Sequence, residues 1–170
     1  MEVKRLLRLL SLISLLVCNV SCDQISKSIV RSRVDYNEQI SLIHPYLTLT
    51  KIENSGAFLS IGDSLPYPIK LIFLSLLPAF ALGYGLFFLF WKANLSRNIS
   101  LALCFIIGGG IGNMYDRVVH GSVTDFLHID FGFVQTGIFN MADVSIMVGM
   151  ALFVVNINSK KEAEGTNPLP

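Results

Sequence analysis

Two aspartates, Asp125 and Asp143, stand beside long apolar segments, where they could do acid–base chemistry. Charged groups at membrane depth are energetically expensive, so they indicate a functional site. Two neighbouring carboxylates cannot both ionise cheaply, and one of them therefore keeps its proton near neutral pH. The ionised partner can take a proton from an attacking water, while the protonated one stabilises the oxyanion and protonates the leaving amine. The pair predicts hydrolysis at a membrane surface.

This chemistry requires neither a metal nor a cofactor, and we expect none. His44 and His128 are predicted to be surface or packing residues. The three cysteines, Cys18, Cys22 and Cys104, lie in apolar stretches without metal-ligand spacing and are expected to be small buried hydrophobic residues. Because two coupled carboxylates titrate as a unit, the residues leave open which aspartate begins as the base.

Further polar residues follow the glycine-rich stretch 108–112. Asn113, Asp116 and Arg117 are spaced i, i+3, i+4, which places them on one face of a continuing helix. A simpler interpretation is an interfacial cap in which Asp116 and Arg117 satisfy each other. Asn140 lies three residues before Asp143, so both would share a face of the next helix, with Asn140 suited to capping it.

Two further sequence segments, one with Asp23 and Lys27 and one with Asn54 and Gly56, are expected on the same side of the membrane. Asp23 and Lys27 are spaced i, i+4, which predicts a structural ion pair at the end of the first helix. Asn54 and Gly56 belong to a turn signal. A single buried aspartate could be a structural hydrogen-bonding group, but the convergence of so many polar residues at one membrane level indicates a site.

Composition places these residues in a membrane protein. The chain has 170 residues, is 52% hydrophobic and only 15% charged, and has a mean hydropathy of +0.60, whereas a soluble domain is about 25% charged. Its net charge of +1 argues against nucleic-acid binding. Crossing a bilayer takes about 20 apolar residues, and four windows are candidates: Leu6–Cys22, Ile69–Trp91, Ile99–Met114 and Ile138–Ile157. The third window is short if it stops at Met114, so we expect it to continue through Asp116 and Arg117. We expect spans of about 6–26, 69–91, 98–117 and 138–158 in one integral membrane domain, residues 1–170.

The first window also has features of a signal peptide. A basic stretch with Lys4, Arg5 and Arg8 precedes the apolar run 9–17. However, Asn19 suits a lipoprotein cleavage site poorly, and the helical pattern continues past Cys22. We therefore favour an uncleaved first helix over a removed signal peptide.

Basic residues near the span ends predict the orientation. They precede the first span, occupy the short second loop at Lys92 and Arg97, and follow the fourth span at Lys160 and Lys161. With an even number of spans these places share one side, so both termini should be cytoplasmic. Segments 27–68 and 115–137 should then lie outside.

The outer segments contain strand patterns. Residues 46–52 alternate and are rich in β-branched side chains, residues 57–61 could form a second strand, and residues 128–134 are expected to form a hairpin. The predicted fold is therefore an all-α membrane protein of four transmembrane helices with a small extracytoplasmic β-platform.

Four sequence blocks closely resemble lipoprotein signal peptidase, also called signal peptidase II or prolipoprotein signal peptidase. They are residues 23–27, 54–58, 109–117 with 121–126, and 139–143, in the order and positions that the family has relative to its four spans. The resemblance covers essentially residues 5–158. Two departures are a single alanine between Gly56 and Phe58, where many relatives have two, and Cys22 where a smaller residue is common.

The resemblance implies an aspartyl endopeptidase of the bacterial inner membrane. It would remove signal peptides from prolipoproteins, cutting before a diacylglyceryl-modified cysteine at the periplasmic face. Its partners would be prolipoprotein substrates and membrane lipids, with no nucleic acid, and the enzyme would be monomeric. The implied site consists of the catalytic pair Asp125 and Asp143, the substrate- or dyad-positioning residues Asn54, Asn113, Arg117 and Asn140, and the supporting residues Asp23, Lys27, Gly56 and Asp116.

Two other classes remain open from the residues alone. A small transporter or channel could use Asp125 and Asp143 for cations or protons, although the acidic residues gather on one face instead of lining a path. A non-catalytic assembly protein would explain glycines 108–112 by close helix packing, but would not explain two aspartates at matched depth.

Overall fold

A computed structural model describes residues 2–36, 38–56, 64–92 and 94–165, with only the backbone described for residues 158–165. Within these residues the chain forms four long helices and three strands. In chain order they are α1 (Glu2–Arg33), β1 (Ile40–Ile43), β2 (Leu47–Asn54), α2 (Tyr67–Trp91), α3 (Arg97–His120), β3 (Val123–Ile129) and α4 (Met141–Gly165). The predicted architecture, a helical membrane fold with a small β-platform, is confirmed.

Three helices of the described chain are long and apolar enough to cross a membrane. They are α1, α2 and α3, with 32, 25 and 24 residues and window hydropathies of 1.7, 2.1 and 1.3. The third continues through Arg117, past the end of its apolar window. The apolar part of α4, Met141–Ile157, is shorter, so the fourth span stays a prediction.

Helix α1 continues without interruption past Cys22 to Arg33, as its sequence pattern predicts. Most of its surface is exposed, but Asp23, Lys27 and Val30 are buried. The prediction for the cysteines is right only for Cys104, which is buried against α1. Cys18 and Cys22 are exposed, because they lie on the face of α1 that points away from the other helices.

Helix α2 changes its hydrogen-bonding pattern near its N-terminal end. Its segment Leu71–Leu76 is π-helical, and the Leu77 N–H bonds the Ile72 carbonyl five residues back. Pro78 follows directly and has no N–H to donate, so the regular i to i−4 pattern is interrupted there. This irregular segment matters because it borders the candidate site.

Glycines let α3 approach its neighbours closely. A Cβ at Gly109 would collide with the Ala142 carbonyl oxygen of α4, and one at Gly112 would collide with the Asp23 carboxylate of α1. These contacts explain the glycine cluster, because any larger residue would keep α3 from packing so closely against α1 and α4. Helix α3 ends at His120, and Gly121 caps it with a φ of 78°, the left-handed conformation that turns the chain into β3.

The platform is an antiparallel sheet in the order β1–β2–β3. Residue Ile52 lies opposite Asp125, and Asn54 lies opposite Val123. The strand predicted at 46–52 is confirmed as β2, whereas β1 was not predicted and all of its residues are exposed. The strand expected at 57–61 lies outside the described residues.

The hairpin predicted at 128–134 is only partly right. The chain turns at Gly132, and the Phe131 N–H bonds the Val134 carbonyl, but the described return is an isolated bridge between Asp130 and Gln135. The sheet is anchored to the end of α1 by a buried cluster of Val30, Val34 and Phe126. This anchor holds β3, with Asp125, over the ends of α1 and α3.

Candidate active site

One cavity collects the six residues predicted to be catalytic or substrate-binding. Its volume is about 280 Å³, and it lies where α2, α3 and the start of α4 meet strands β2 and β3. The polar lining residues are Asn54, Asn113, Arg117, Asp125, Asn140 and Asp143. The turn before α4, the first turn of α4, the last turns of α3 and the paired strands therefore bring these side chains to one place.

Asp125 points from β3 into this cavity and is 5% exposed. Its Oδ1 accepts a hydrogen bond from Asn140 Nδ2 at 2.6 Å, and its Oδ2 accepts one from Asn54 Nδ2 at 3.0 Å. Burial is the main cause that raises the pKa of Asp125, and the nearby Asp143 carboxylate also raises it. The hydrogen bonds from Asn54 and Asn140 and the charge of Lys27 lower the pKa, and the net value is about 6. A carboxyl with this pKa exchanges its proton near neutral pH.

Asp143 is held by the start of its own helix. Asn140 Oδ1 accepts a hydrogen bond from the Asp143 N–H at 3.0 Å, and Asp143 Oδ2 accepts one from the Asn140 N–H at 3.1 Å. This reciprocal pair is a capping box, so the capping role predicted for Asn140 is present. Asn140 thus orients both aspartates, one through its backbone and one through its side chain.

The other oxygen of Asp143 is bound by Asn113. Asn113 Nδ2 donates to Asp143 Oδ1 at 2.9 Å, and Asn113 Oδ1 accepts hydrogen bonds from Lys27 Nζ at 2.8 Å and Asn140 Nδ2 at 3.1 Å. Because an ammonium group can only donate, Lys27 requires the amide oxygen to face it. The amide nitrogen must then face Asp143.

Asn54 is oriented by the same principle. Its Oδ1 accepts a hydrogen bond from the Gly56 N–H at 3.0 Å, which directs Nδ2 towards Asp125. Arg117 in turn donates to the Gly56 carbonyl at 3.2 Å. Gly56 therefore acts through its backbone, joining the turn after β2 to α3.

Lys27 lies at the centre of a buried ionic cluster below the cavity. It is fully buried and contacts Asp23 Oδ2 at 2.8 Å and Asp116 Oδ2 at 2.9 Å, in addition to Asn113. Asp23 Oδ1 also accepts a hydrogen bond from the Ala142 N–H at 2.9 Å. The cluster therefore connects α1 to the first turn of α4, the turn that contains Asp143.

The interpretation that Asp116 and Arg117 satisfy each other is wrong. Asp116 faces α1, where it contacts Lys27 and also Arg31 at 2.8 Å, while Arg117 lines the cavity. Asp116 and Arg117 are adjacent in sequence and so lie on different faces of α3. Asn113 and Asp116 are three residues apart and do share a face of α3, on which both contact Lys27 Nζ.

Comparison with known proteins agrees with these motifs. Residues 15–158 match the family model described as signal peptidase (SPase) II. The chain belongs to the signal peptidase II family. This assignment confirms the resemblance and favours a peptidase over a transporter or an assembly protein.

Relatives of this family cover most of the chain. A lipoprotein signal peptidase of Streptococcus pyogenes is 36% identical over 152 residues, covering 89% of this chain and 93% of the relative. A lipoprotein signal peptidase of Listeria monocytogenes is 34% identical over 138 residues, covering 81% of this chain and 86% of the relative.

Two solved bacterial membrane enzymes share the fold. The first has a TM-score of 0.81 and 24% sequence identity, and the match covers 94% of each chain. The second has a TM-score of 0.73 and 26% sequence identity, and the match covers 86% of this chain and 92% of the other.

The apolar wall of this peptidase's cavity was not predicted. It consists of Phe73, Leu74 and Pro78 of α2 together with Val123 and Ile138. In the sequence these residues are indistinguishable from the rest of an apolar span, except that Pro78 interrupts it. Arg31 was also missed, although its i, i+4 spacing from Lys27 places it on the same face of α1.

Proposed function

We propose that this protein removes signal peptides from diacylglyceryl-modified prolipoproteins, cutting before the lipid-modified cysteine. Its family and the lipoprotein signal peptidases that it resembles support this activity. The observation that carries the proposal is the pair of carboxylates, Asp125 from β3 and Asp143 from α4, lining one partly buried cavity. Each carboxylate is held by amide donors from other elements.

In the proposed mechanism the aspartates share one proton near neutral pH. The ionised member accepts a proton from water as the water attacks the scissile carbonyl, and the protonated member hydrogen-bonds the developing oxyanion. That proton then passes to the leaving amine. The raised pKa of Asp125, about 6, supports a shared proton in this pH range. Either residue can begin as the base, since the pair titrates as a unit.

The other cavity residues are proposed to position the substrate and the dyad. Asn54, Asn113 and Asn140 already bind the carboxylates. Arg117 brings a positive charge to the lining, where it could bind a carbonyl of the signal peptide. The apolar wall with Phe73 and Leu74 gives the apolar parts of the substrate a surface that excludes water.

We further propose that the whole chain is one integral membrane peptidase domain with α4 as its fourth span. Both termini would be cytoplasmic, the dyad would face the periplasm and the enzyme would act as a monomer. The short basic loop at Lys92 and Arg97 and the basic start of α1 support this orientation.

The activity can be tested with a diacylated prolipoprotein peptide and the purified full-length protein. We expect Asp125→Asn and Asp143→Asn each to lower the cleavage rate at least about a hundredfold, the range for loss of an acid–base group. Asp35→Asn is the matched control, because Asp35 is exposed between α1 and β1 and does not line the cavity. Substantial cleavage by either dyad variant, with folding intact, would refute the assignment.

A further inference from the structure

A second cavity lies at the opposite end of the bundle from the aspartates. Its volume is about 400 Å³, and α1, α3 and the loop before α3 form its walls. The start of α3 at Arg97 is 16 residues from Asn113, or about 24 Å along the helix axis. The hydrocarbon core of a bilayer is about 30 Å thick, so this cavity lies near the other membrane surface.

The lining of this cavity combines positive charge with apolar surface. Its described lining residues are Arg8, Ser11, Leu12, Leu95, Arg97, Ser100 and Leu101, and no carboxylate is among them. Arg97 forms no ion pair within the part of the chain that the structure describes. The N-terminus of α3 adds the positive end of the helix dipole. Such a lining favours an anion attached to an apolar group.

Arg8 is already held in place at the cavity. Its Nη2 donates to the Lys92 carbonyl oxygen at 2.9 Å and to the Leu89 carbonyl oxygen at 3.5 Å, which caps the carboxyl end of α2. The guanidinium is therefore anchored before any ligand arrives, so little side-chain entropy is lost on binding.

Ser100 supplies independent evidence for a ligand. Ser100 is 6% exposed and lines the cavity, yet its Oγ makes no hydrogen bond within the described structure. Buried hydroxyl groups are normally hydrogen-bonded, and leaving one unpaired costs about 1–3 kcal/mol. A phosphate oxygen in the cavity would accept this hydrogen bond.

We propose that this cavity binds the phosphate of an anionic phospholipid headgroup from the leaflet opposite the dyad. Arg8 and Arg97 neutralise the phosphate, Ser100 donates to it, and Leu12, Leu95 and Leu101 pack against the glycerol and the first acyl carbons. A bound lipid would join α1 to α3 at the end of the bundle that lies farthest from the active site, and Arg8 links this site to the end of α2. The proposal does not depend on the peptidase activity.

The test measures the melting temperature of the purified full-length protein in detergent during titration with phosphatidylglycerol, and counts bound lipids by native mass spectrometry. Phosphatidylcholine with the same acyl chains and sn-glycerol 3-phosphate are the comparison ligands. We expect phosphatidylglycerol to bind at least about tenfold more tightly than either one, since only it combines net negative charge with acyl chains. Equal stabilisation by glycerol 3-phosphate would show a soluble phosphate site, and equal stabilisation by phosphatidylcholine would show a general lipid effect. Either result would overturn the proposal.

Substitutions inside and outside the cavity distinguish binding at this site from a general attraction between basic residues and anionic lipid. We expect Arg97→Gln to weaken phosphatidylglycerol binding about tenfold and Ser100→Ala about fivefold, while Lys4→Gln, a charge removed from the same end of α1 but outside the cavity, has no effect. Ser100→Ala should not lower the lipid-free melting temperature, because its hydroxyl is unpaired there. A loss of lipid-free stability, with unchanged lipid affinity, would show a structural role instead. Asp125→Asn should bind the lipid like wild type, which keeps this test separate from that of the peptidase.

Discussion

The orientation of the Asn113 amide leads to a specific prediction for Asn113→Asp. The substitution keeps the size and shape of the side chain, and the oxygen that faces Lys27 and Asn140 is retained. The nitrogen that faces Asp143 becomes a second carboxylate oxygen, 2.9 Å from Asp143 Oδ1 if nothing moves. A hydrogen-bond donor to the dyad is replaced by a third negative charge.

The size of the effect follows from these distances. Two unit charges 2.9 Å apart repel each other by about 6 kcal/mol at an effective dielectric constant of about 20. Lys27 Nζ lies 2.8 Å from the retained oxygen and offsets much of this repulsion. We therefore expect a net effect of about 1–3 kcal/mol, which moves the acid limb of the pH–rate profile up by about one to two pH units. The maximal rate should fall at least about tenfold.

The assay is cleavage of a diacylated prolipoprotein peptide by purified protein between pH 4 and pH 9. Asn98→Asp is the matched control, because Asn98 is exposed at the opposite end of the same helix. At neutral pH the net repulsion of about 1–3 kcal/mol should lower the melting temperature of Asn113→Asp, and the loss should shrink at acidic pH, where the site takes up a proton. A wild-type profile would refute the inference that the Asn113 nitrogen faces Asp143.

Three further predictions concern charge and pH. Lys27→Met should destabilise the fold by about 3–5 kcal/mol, measured by thermal unfolding, because Asp23 and Asp116 lose a fully buried cation; an unchanged melting temperature would contradict the ionic cluster. Wild type should show a bell-shaped pH–rate profile, and a flat acidic limb would argue against a shared proton. Folding raises the pKa of Asp125 from 3.8 to about 6, so its contribution to stability is present below about pH 4 and is lost as pH rises through 6. The free energy of unfolding of Asp125→Asn should thus equal that of wild type near pH 4 and exceed it by about 3 kcal/mol at pH 8, as measured by thermal unfolding. A difference that stays constant with pH would contradict the pKa shift.

Much of the site could be predicted because its residues break local patterns. Asp143 interrupts an apolar segment, and Asn140 and Asp143 have capping-box spacing, which is a local property of the chain. Helices α1 to α3 follow from apolar length in the same way. Strand β1 could not be predicted, because all four of its residues are exposed and it lacks the alternation that a half-buried strand shows.

The partners of charged groups could not be predicted from spacing. Asp116 was paired with its neighbour Arg117, whereas in the fold it meets Lys27 and Arg31 of α1. Spacing along one helix shows which residues share a face, but not which other helix packs against that face. The contact between Gly112 and Asp23 decides that point, since it brings α3 close enough to α1 for these ion pairs. Which helices pack together is a property of the tertiary structure, and the spacing of residues along one helix does not contain it.

The surroundings of the proposed dyad are suited to holding two carboxylates firmly while they share a proton. Each of their four oxygens accepts one hydrogen bond from an amide or backbone N–H. In the described part of the chain, no lysine or arginine forms an ion pair with either aspartate. A direct ion pair would favour the doubly ionised state and remove the proton needed for the leaving amine. By placing the Asn113 amide between Lys27 and Asp143, the chain uses the cation to orient the carboxylate without contacting it, which leaves the pair free to keep one proton.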